Sequence, residues 1–342
     1  MHHYAMKTTD FAKYLSDFMT IYLINERGFS NNTIKAYRDA FVQLISYMET
    51  YKKLSINKLT LADITKENVV AFLDWIEIER HCSVSTRNGR LAAIHSFIKY
   101  VQRVHPDNLY EFQRVLAIKS KKHNMAKINY LTIEGIKLLL EMPDKSSRHG
   151  RRDLALLSLM YDTGCRVQEI ADLVVENVHL SNPSFIMIKG KGKKIRNVPM
   201  LQEQTTILRQ YMQENGLMDN MFRPYPLFMN SHREKLTRGG ITHILKKYVE
   251  KARKVNPDVI PEVVSCHSLR HSKAMHLLQG GLNLVYIRDI LGHVSIQTTE
   301  IYARADSKQK REALEKAYIE VSPKVTPLWE KDKELLEWLK SF

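Results

Sequence analysis

The stretch "CHSLRH", Cys266 to His271, sets two histidines four residues apart with an arginine three after the first, and its reading decides what must be folded around it. On a helix, residues three and four apart share a face, so His267 can act with His271 or with Arg270. The first pairing would be a metal site of the zinc-protease kind. Such a site needs a glutamate after its first histidine, but Ser268 stands there, no carboxylate is near, and Arg270 would repel the cation. The second pairing aims two hydrogen-bond donors at one anion, and a guanidinium fork fits two phosphate oxygens. The residues therefore predict no metal, and a helix through "SLRHSKAMHLLQ" that stops at Gly280 and Gly281.

One histidine and one arginine on a helix are usually surface residues, so the anion reading needs companions. "DTGCRVQEIADL" places Arg166 after a glycine break at the start of a helix, with Glu169 three residues on. "LGHVSIQTTEIYAR" places His293 just beyond a helix that ends at Gly292, and Tyr302 on the next helix. "PSFIMIKGKGKKIRNVPM" has two apolar runs, Phe185 to Ile188 and Ile195 to Pro199, around a turn that holds Lys191 between two glycines; this is a β-hairpin pattern. A phosphate-binding P-loop is disfavoured there, because GxxxxGK[ST] is absent and no helix follows directly. Each of these residues has a plainer reading. A tyrosine on a helix most often packs, Tyr286 and Tyr318 lack such companions, and His271 and His276 read as core or interface histidines. Lys189, Lys193 and Lys194 crowd the turn of Lys191.

The rest of the chain frames these motifs. From about Asp10 to Val104 the periodicity is helical throughout and predicts a compact four-helix unit: Thr9 to Glu26, a helix capped by Asn31 or Asn32, one after Thr65, and one after Ser83 or Ser85. Residues 106–127 read as a linker; from Phe112 to Lys127 it carries five basic residues and no acidic ones. Residues 128–320 form the second domain, and residues 321–342 a tail that offers Leu328, Leu335, Leu339 and Phe342 at amphipathic spacing. The fold expected is mainly α with a small antiparallel β-sheet, in two domains.

The 342 residues hold 52 Lys+Arg against 37 Asp+Glu, a net charge of +15. Residues 1–105 carry +4, the linker +3, residues 128–320 +8 and the tail 0. Such a balance calls for a polyanionic partner, with nucleic acid first and an acidic membrane surface second. Two basic lobes and a basic linker suit a C-shaped clamp on double-stranded DNA, with Lys119, Lys121, Lys122, Lys193, Lys194 and Arg196 as candidate DNA contacts. The neutral tail suits a protein contact. No run of about 18 or more apolar residues is present and the N-terminus lacks a signal-peptide pattern, so the expectation is a cytoplasmic protein. Cys82, Cys165 and Cys266 are scattered and form neither a disulfide framework nor a zinc ribbon.

In order, these boxes resemble the catalytic residues of the tyrosine recombinase (phage integrase) family: Arg166, Lys191 on a hairpin, His267-x-x-Arg270, His293 and Tyr302. "FSNNTIKAYRDAFVQLISYM" is similar to the family's core-binding domain, so the resemblance spans nearly the whole chain. It implies that Tyr302 is the nucleophile and that Arg166, Arg270 and His293 stabilise the transition state. It further implies His267 as the base, Lys191 as the acid for the leaving 5′ oxygen, and Glu169 as the carboxylate orienting Arg166 or His267. The implied product is a 3′-phosphotyrosyl link, formed without ATP or metal, and strand exchange then runs through a Holliday junction in a tetramer joined by tails docked in trans. The helices begin near residue 10 and leave no room for an arm-binding module, which favours an Xer-like or transposon-encoded recombinase, acting in the integration or excision of a mobile element. The rivals are a type IB topoisomerase and a catalytically silent DNA-binding protein of the same fold.

Overall fold

A computed structural model describes residues 8–122, 128–190, 192, 194–293, 295–305 and 333–341. The chain divides into two compact units, Met1–Met125 and Ala126–Phe342. The described part is mainly helical, with one three-stranded antiparallel sheet.

In the first unit α1 (Asp10–Asp17) runs on as a π-helix over Phe18–Glu26 and is followed by α2 (Asn31–Lys52), α3 (Lys66–Ile78), α4 (Val84–Val104) and α5 (Leu109–Leu116). The starts of these helices follow local chemistry. Thr65 and Ser83 adopt extended backbone angles and accept the N–H groups of Asn68 and Thr86. For α2 the cap is Ser30, which accepts Thr33 N–H, rather than Asn31 or Asn32, both of which lie inside the helix. Phe97 is the hub of the core, with the rings of Phe11, Phe18 and Phe41 set edgewise at 5.8, 5.4 and 5.2 Å. Such edge-on pairs add roughly 0.5–1.5 kcal/mol each beyond the area they bury.

The segment read as a linker does not begin at residue 106. Pro106–Asn108 forms a 3₁₀ turn and α5 packs Phe112 and Val115, both fully buried, into the core of the first unit. Leu109, Phe112, Val115 and Leu116 give α5 an apolar stripe, and burying its Phe and Val outweighs the tendency of the neighbouring lysines to stay solvated.

The second unit opens with α6 (Ile133–Glu141), α7 (Arg148–Thr163) and the short α8 (Val167–Ala171). The sheet follows, in the order β1 (Val178–His179), β2 (Phe185–Lys189), β3 (Ile195–Pro199). The hairpin β2–β3 pairs Phe185 with Pro199 and Lys189 with Ile195, and alternation turns Ile186, Ile188 and Val198 into the core. Then come α9 (Gln202–Glu214), α10 (Arg238–Val255), α11 (Cys266–Gln279), α12 (Leu284–Leu291), α13 (Gln297–Ala305) and, at the chain end, α14 (Lys333–Lys340). A core distinct from the main one of this unit joins α11, α12 and α13 through Ala274, Met275, Leu278, Ile287, Leu291 and Tyr302. Among the described residues no helix is long and apolar enough to cross a membrane. Of the amphipathic tail, Leu328 and Phe342 lie outside the described residues; Trp338 and Leu339 on α14 are exposed.

Candidate active site

The site is built where helices end. α7 terminates at Gly164, whose φ of +59° is left-handed and whose missing Cβ leaves room for Leu291; a methyl there would stand 2.6 Å from Leu291 Cδ2. The chain then turns through Cys165 to Arg166, the N-cap of α8. α12 ends in the same way at Gly292, φ +67°, which delivers His293 beside the chain turn at Gly164. A Cβ on Gly292 would lie 2.7 Å from the Arg196 guanidinium. Two helix ends are thus brought to one place by close packing that only glycine permits.

Arg270 projects from α11 between those ends. It is 3% exposed, and its Nη1 and Nη2 donate to the main-chain carbonyls of Gly164 and Leu291 at 2.7 and 2.8 Å. Burial, with Arg166 nearby, lowers its pKa to about 10, which still leaves it charged at neutral pH. An ion pair at 2.9 Å between Lys273 and Asp162 clips α11 to α7.

Glu169 is the carboxylate at the centre. Its Oε2 accepts the Arg166 backbone N–H at 3.0 Å and its Oε1 accepts Arg166 Nη1 at 2.8 Å. Arg196, on β3, donates to the same carboxylate at 2.7 and 3.3 Å and through Nε to the carbonyl of Ile290 at 2.9 Å. Burial works against its charge, but Arg196 and then Arg166 overcome that and hold its pKa below the usual carboxylate range. Arg166 also donates to the carbonyl of Gly292 at 3.4 Å. Arg166 and Arg196 therefore share the Glu169 carboxylate, Arg270 is bonded to main-chain carbonyls instead, and among the described residues the cluster carries an excess of positive charge.

The histidines differ from one another. His293 shares a hydrogen between Nδ1 and the buried Thr299 hydroxyl at 2.8 Å, and burial followed by Arg270, Arg166 and Arg196 lowers its pKa to about 4. With the hydroxyl donating to Nδ1, the ring hydrogen sits on Nε2, where it can be given to an anion. His267 lies on the solvent side of α11, its pKa lowered by partial desolvation and then by Arg270, Arg166 and Arg238. Tyr302 on α13 is 1% exposed, with its ring stacked on His293 at 6.3 Å and 11°. Its hydroxyl meets Nδ1 of His271 at 2.9 Å. Burial raises the pKa of the phenol, and Arg270 and Arg166 pull against that rise.

The fold thus gathers Arg166, Glu169, Arg270, His293 and Tyr302 around one pocket, and puts His267 on the same helix as Arg270. Two residues depart from the sequence reading. His271, taken there for a packing histidine, is bonded to the phenol. Arg196, taken for a DNA contact, has its donors engaged inside the protein, because β3 points its side chain at Glu169 rather than at solvent. Lys191 and Lys193 lie outside the described residues, and Lys194 is exposed beside them. Lys119 and Lys122 are exposed, whereas Lys121 is exposed but bonded at 2.6 Å to Glu77.

A cavity of about 480 Å³ opens between the hairpin, at Gly190, Lys194 and Arg196, and the end of α12, at Arg288, Gly292 and His293. Another, of about 320 Å³, is lined by Arg148, Arg152, Tyr211 and Arg233 and shares none of the residues above. Among the described residues no three His, Cys, Asp or Glu side chains converge to hold a metal ion.

Comparison with known proteins gives the lineage of the chain. Residues 129–309 match the model of the phage integrase family, and residues 3–105 match that of the phage integrase N-terminal SAM-like domain. A candidate integrase/recombinase of Sinorhizobium fredii named y4rC is 35% identical over 98% of this chain and 99% of its own. The tyrosine recombinase XerD of Listeria innocua is 33% identical over 84% of this chain and 92% of its own. In fold, the chain is similar to the integrase of transposon Tn1549 in complex with transposon right end DNA, with a TM-score of 0.68 at 16% identity over 87% of this chain and 98% of the other. Both units of the molecule are accounted for by one lineage, and the chain belongs to the phage integrase family.

Proposed function

We propose that this protein is a site-specific DNA recombinase that cuts and rejoins strands through a 3′-phosphotyrosyl intermediate and a Holliday junction, in the integration or excision of a mobile element. The observation that carries the reading is a buried phenol, Tyr302, within a cluster of guanidinium and imidazole groups that holds one close carboxylate. In-line attack on a phosphodiester builds negative charge on the nonbridging oxygens, and donors fixed beforehand by the fold lower that barrier without reorganising. Arg166 and Arg270 meet that charge, His293 adds a hydrogen bond, and Tyr302 Oη attacks phosphorus. Lys191 protonates the leaving 5′ oxygen. Glu169 holds Arg166 in place. The phosphotyrosyl link conserves the energy of the bond it replaces, so resealing needs no nucleotide cofactor. The names of the relatives, XerD among them, support recombination as the outcome.

The partner is double-stranded DNA, with the first unit, α5 included, as core-binding domain, residues 128–320 as catalytic domain, Lys119, Lys122, Lys193 and Lys194 among the phosphate contacts, and four copies joined by docking of the C-terminal segment in trans. The experiment starts from duplexes selected by the full-length protein from a randomised pool. The selected site is nicked near the cleavage point, so that the released end diffuses away and trapped covalent adducts accumulate. Wild-type protein is expected to form adducts and Tyr302→Phe to form none while binding the same DNA. Adducts that persist in the phenylalanine variant would remove Tyr302 from its role.

A further inference from the structure

The roles assigned above leave out His271, the one side chain bonded to the phenol among the described residues. His271 follows Arg270 on α11, is half-buried, and presents Nδ1 to Tyr302 Oη at 2.9 Å. His267, one turn earlier, has its ring 6.2 Å from that of His271 and faces solvent. His293 stacks on the other side of Tyr302 with Nδ1 already bonded to Thr299. Of the three imidazoles, only that of His271 is placed to take the phenolic hydrogen as the structure stands.

We propose that His271, rather than His267, is the proton acceptor for Tyr302 in strand cleavage, a step that rests on the reading of Tyr302 as nucleophile. The Oη–H bond breaks and its proton passes to Nδ1 of neutral His271. The Oη–P bond forms, the P–O5′ bond breaks, and the leaving oxygen takes a proton from the general acid. In resealing the 5′ hydroxyl gives its proton back to the conjugate base of that general acid as its oxygen attacks phosphorus, the Oη–P bond breaks, and the His271 imidazolium returns its proton to the departing phenolate.

The surroundings also give the step a switch. Among the described residues four titratable or charged side chains face this imidazole: His267 and Arg270 on α11, Tyr302 on α13, and His293 in the loop before it. Burial, then His267 and Arg270, hold the pKa of His271 down at about 4, so its lone pair is present at neutral pH but weakly basic. A phosphate seated against Arg166 and Arg270 cancels much of that positive field. Base strength therefore rises when the substrate arrives, and the free enzyme keeps its nucleophile protonated.

Single-turnover cleavage of the selected, nicked duplex by full-length protein tests the assignment. His271→Asn puts an amide oxygen where Nδ1 stood, so it preserves the hydrogen bond but cannot accept a proton. It is expected to bind DNA as wild type does, cleave about 100-fold or more slowly, and lose the acid limb of the pH–rate profile, whereas His267→Asn keeps that limb. The defect is expected to persist on a duplex with sulfur in place of the bridging 5′ oxygen, since a thiolate leaves without a proton. As a second variant, His271→Ala is expected to regain cleavage when imidazole is added. Wild-type rates with an intact acid limb in His271→Asn, or a slow His271→Ala that ignores imidazole, would overturn the proposal. Tyr302→Phe run alongside keeps the two failures apart, because adducts in that variant would discard the nucleophile itself and not only its base.

Discussion

At the scale of single residues, the centre of the site is held by one carboxylate. Replacing Glu169 with Gln leaves Arg166 and Arg196 facing each other with a neutral partner, and a broken buried pair of this kind costs about 3 kcal/mol once the partial exposure of Arg166 is allowed for. The pH dependence has a definite sign. The pKa of Glu169 is lower in the folded protein than the ordinary unfolded value of about 4.3, so its contribution is complete above that value and fades as the pH falls through the lower, folded one. His271 and His293, lowered to about 4 from about 6.5, weaken the fold as the pH drops across that interval, but they do so in both proteins. Thermal unfolding should therefore show a gap between wild type and Glu169→Gln that is constant at neutral pH and closes below about pH 4. Glu169 and the two arginines it serves illustrate what was legible in the sequence. Arg166 and Glu169, three apart at a helix start, advertise their pairing. Arg196 does not, because a basic residue in a basic run looks solvated until the strand is laid down and its alternation turns the side chain inward. His271 is visible in the sequence only as the other half of the i, i+4 pair, and that pair points to a metal before it points to a phenol on a helix 31 residues away.

At the scale of elements, helix termini do most of the positioning. Gly164→Ala must place a residue with a Cβ at φ +59° and press a methyl to 2.6 Å from Leu291. The left-handed angle costs about 1 kcal/mol and the overlap adds to it, so a loss of roughly 2 kcal/mol in denaturant unfolding is expected. Cleavage should fall by more than stability, because the Gly164 carbonyl that moves is the one Arg270 holds. Caps such as Thr65 and Ser83 were legible because the signal is local, a hydroxyl three residues from the N–H it accepts. The start of the linker is not legible at α5, because the lysine content of the segment is a local signal whereas Phe112, Val115 and Leu116 find their partner surface, the core of the first unit, far away in sequence.

At the scale of the whole molecule, a net charge of +15 distributed over both units makes association with DNA a counterion-release process. Binding of the selected duplex should weaken linearly in a plot of log K against log salt. If 6–10 phosphates are contacted, the loss is on the order of 10³ to 10⁵ between 50 and 200 mM salt, read by fluorescence anisotropy; a flat plot would argue against a backbone-gripping mode. The two-unit, mainly helical plan was legible from periodicity and charge because both are summed over long windows, where single misreadings cancel. One feature of the pocket bears on how such a molecule can diversify. Arg270 is steadied by peptide carbonyls, which every amino acid carries, so a substitution can displace these supports by moving the backbone, as at Gly164, but cannot remove them by exchanging a side chain alone. On the proposed function, the surfaces that choose a target are free to wander through sequence space while the part meant for the phosphate stays put.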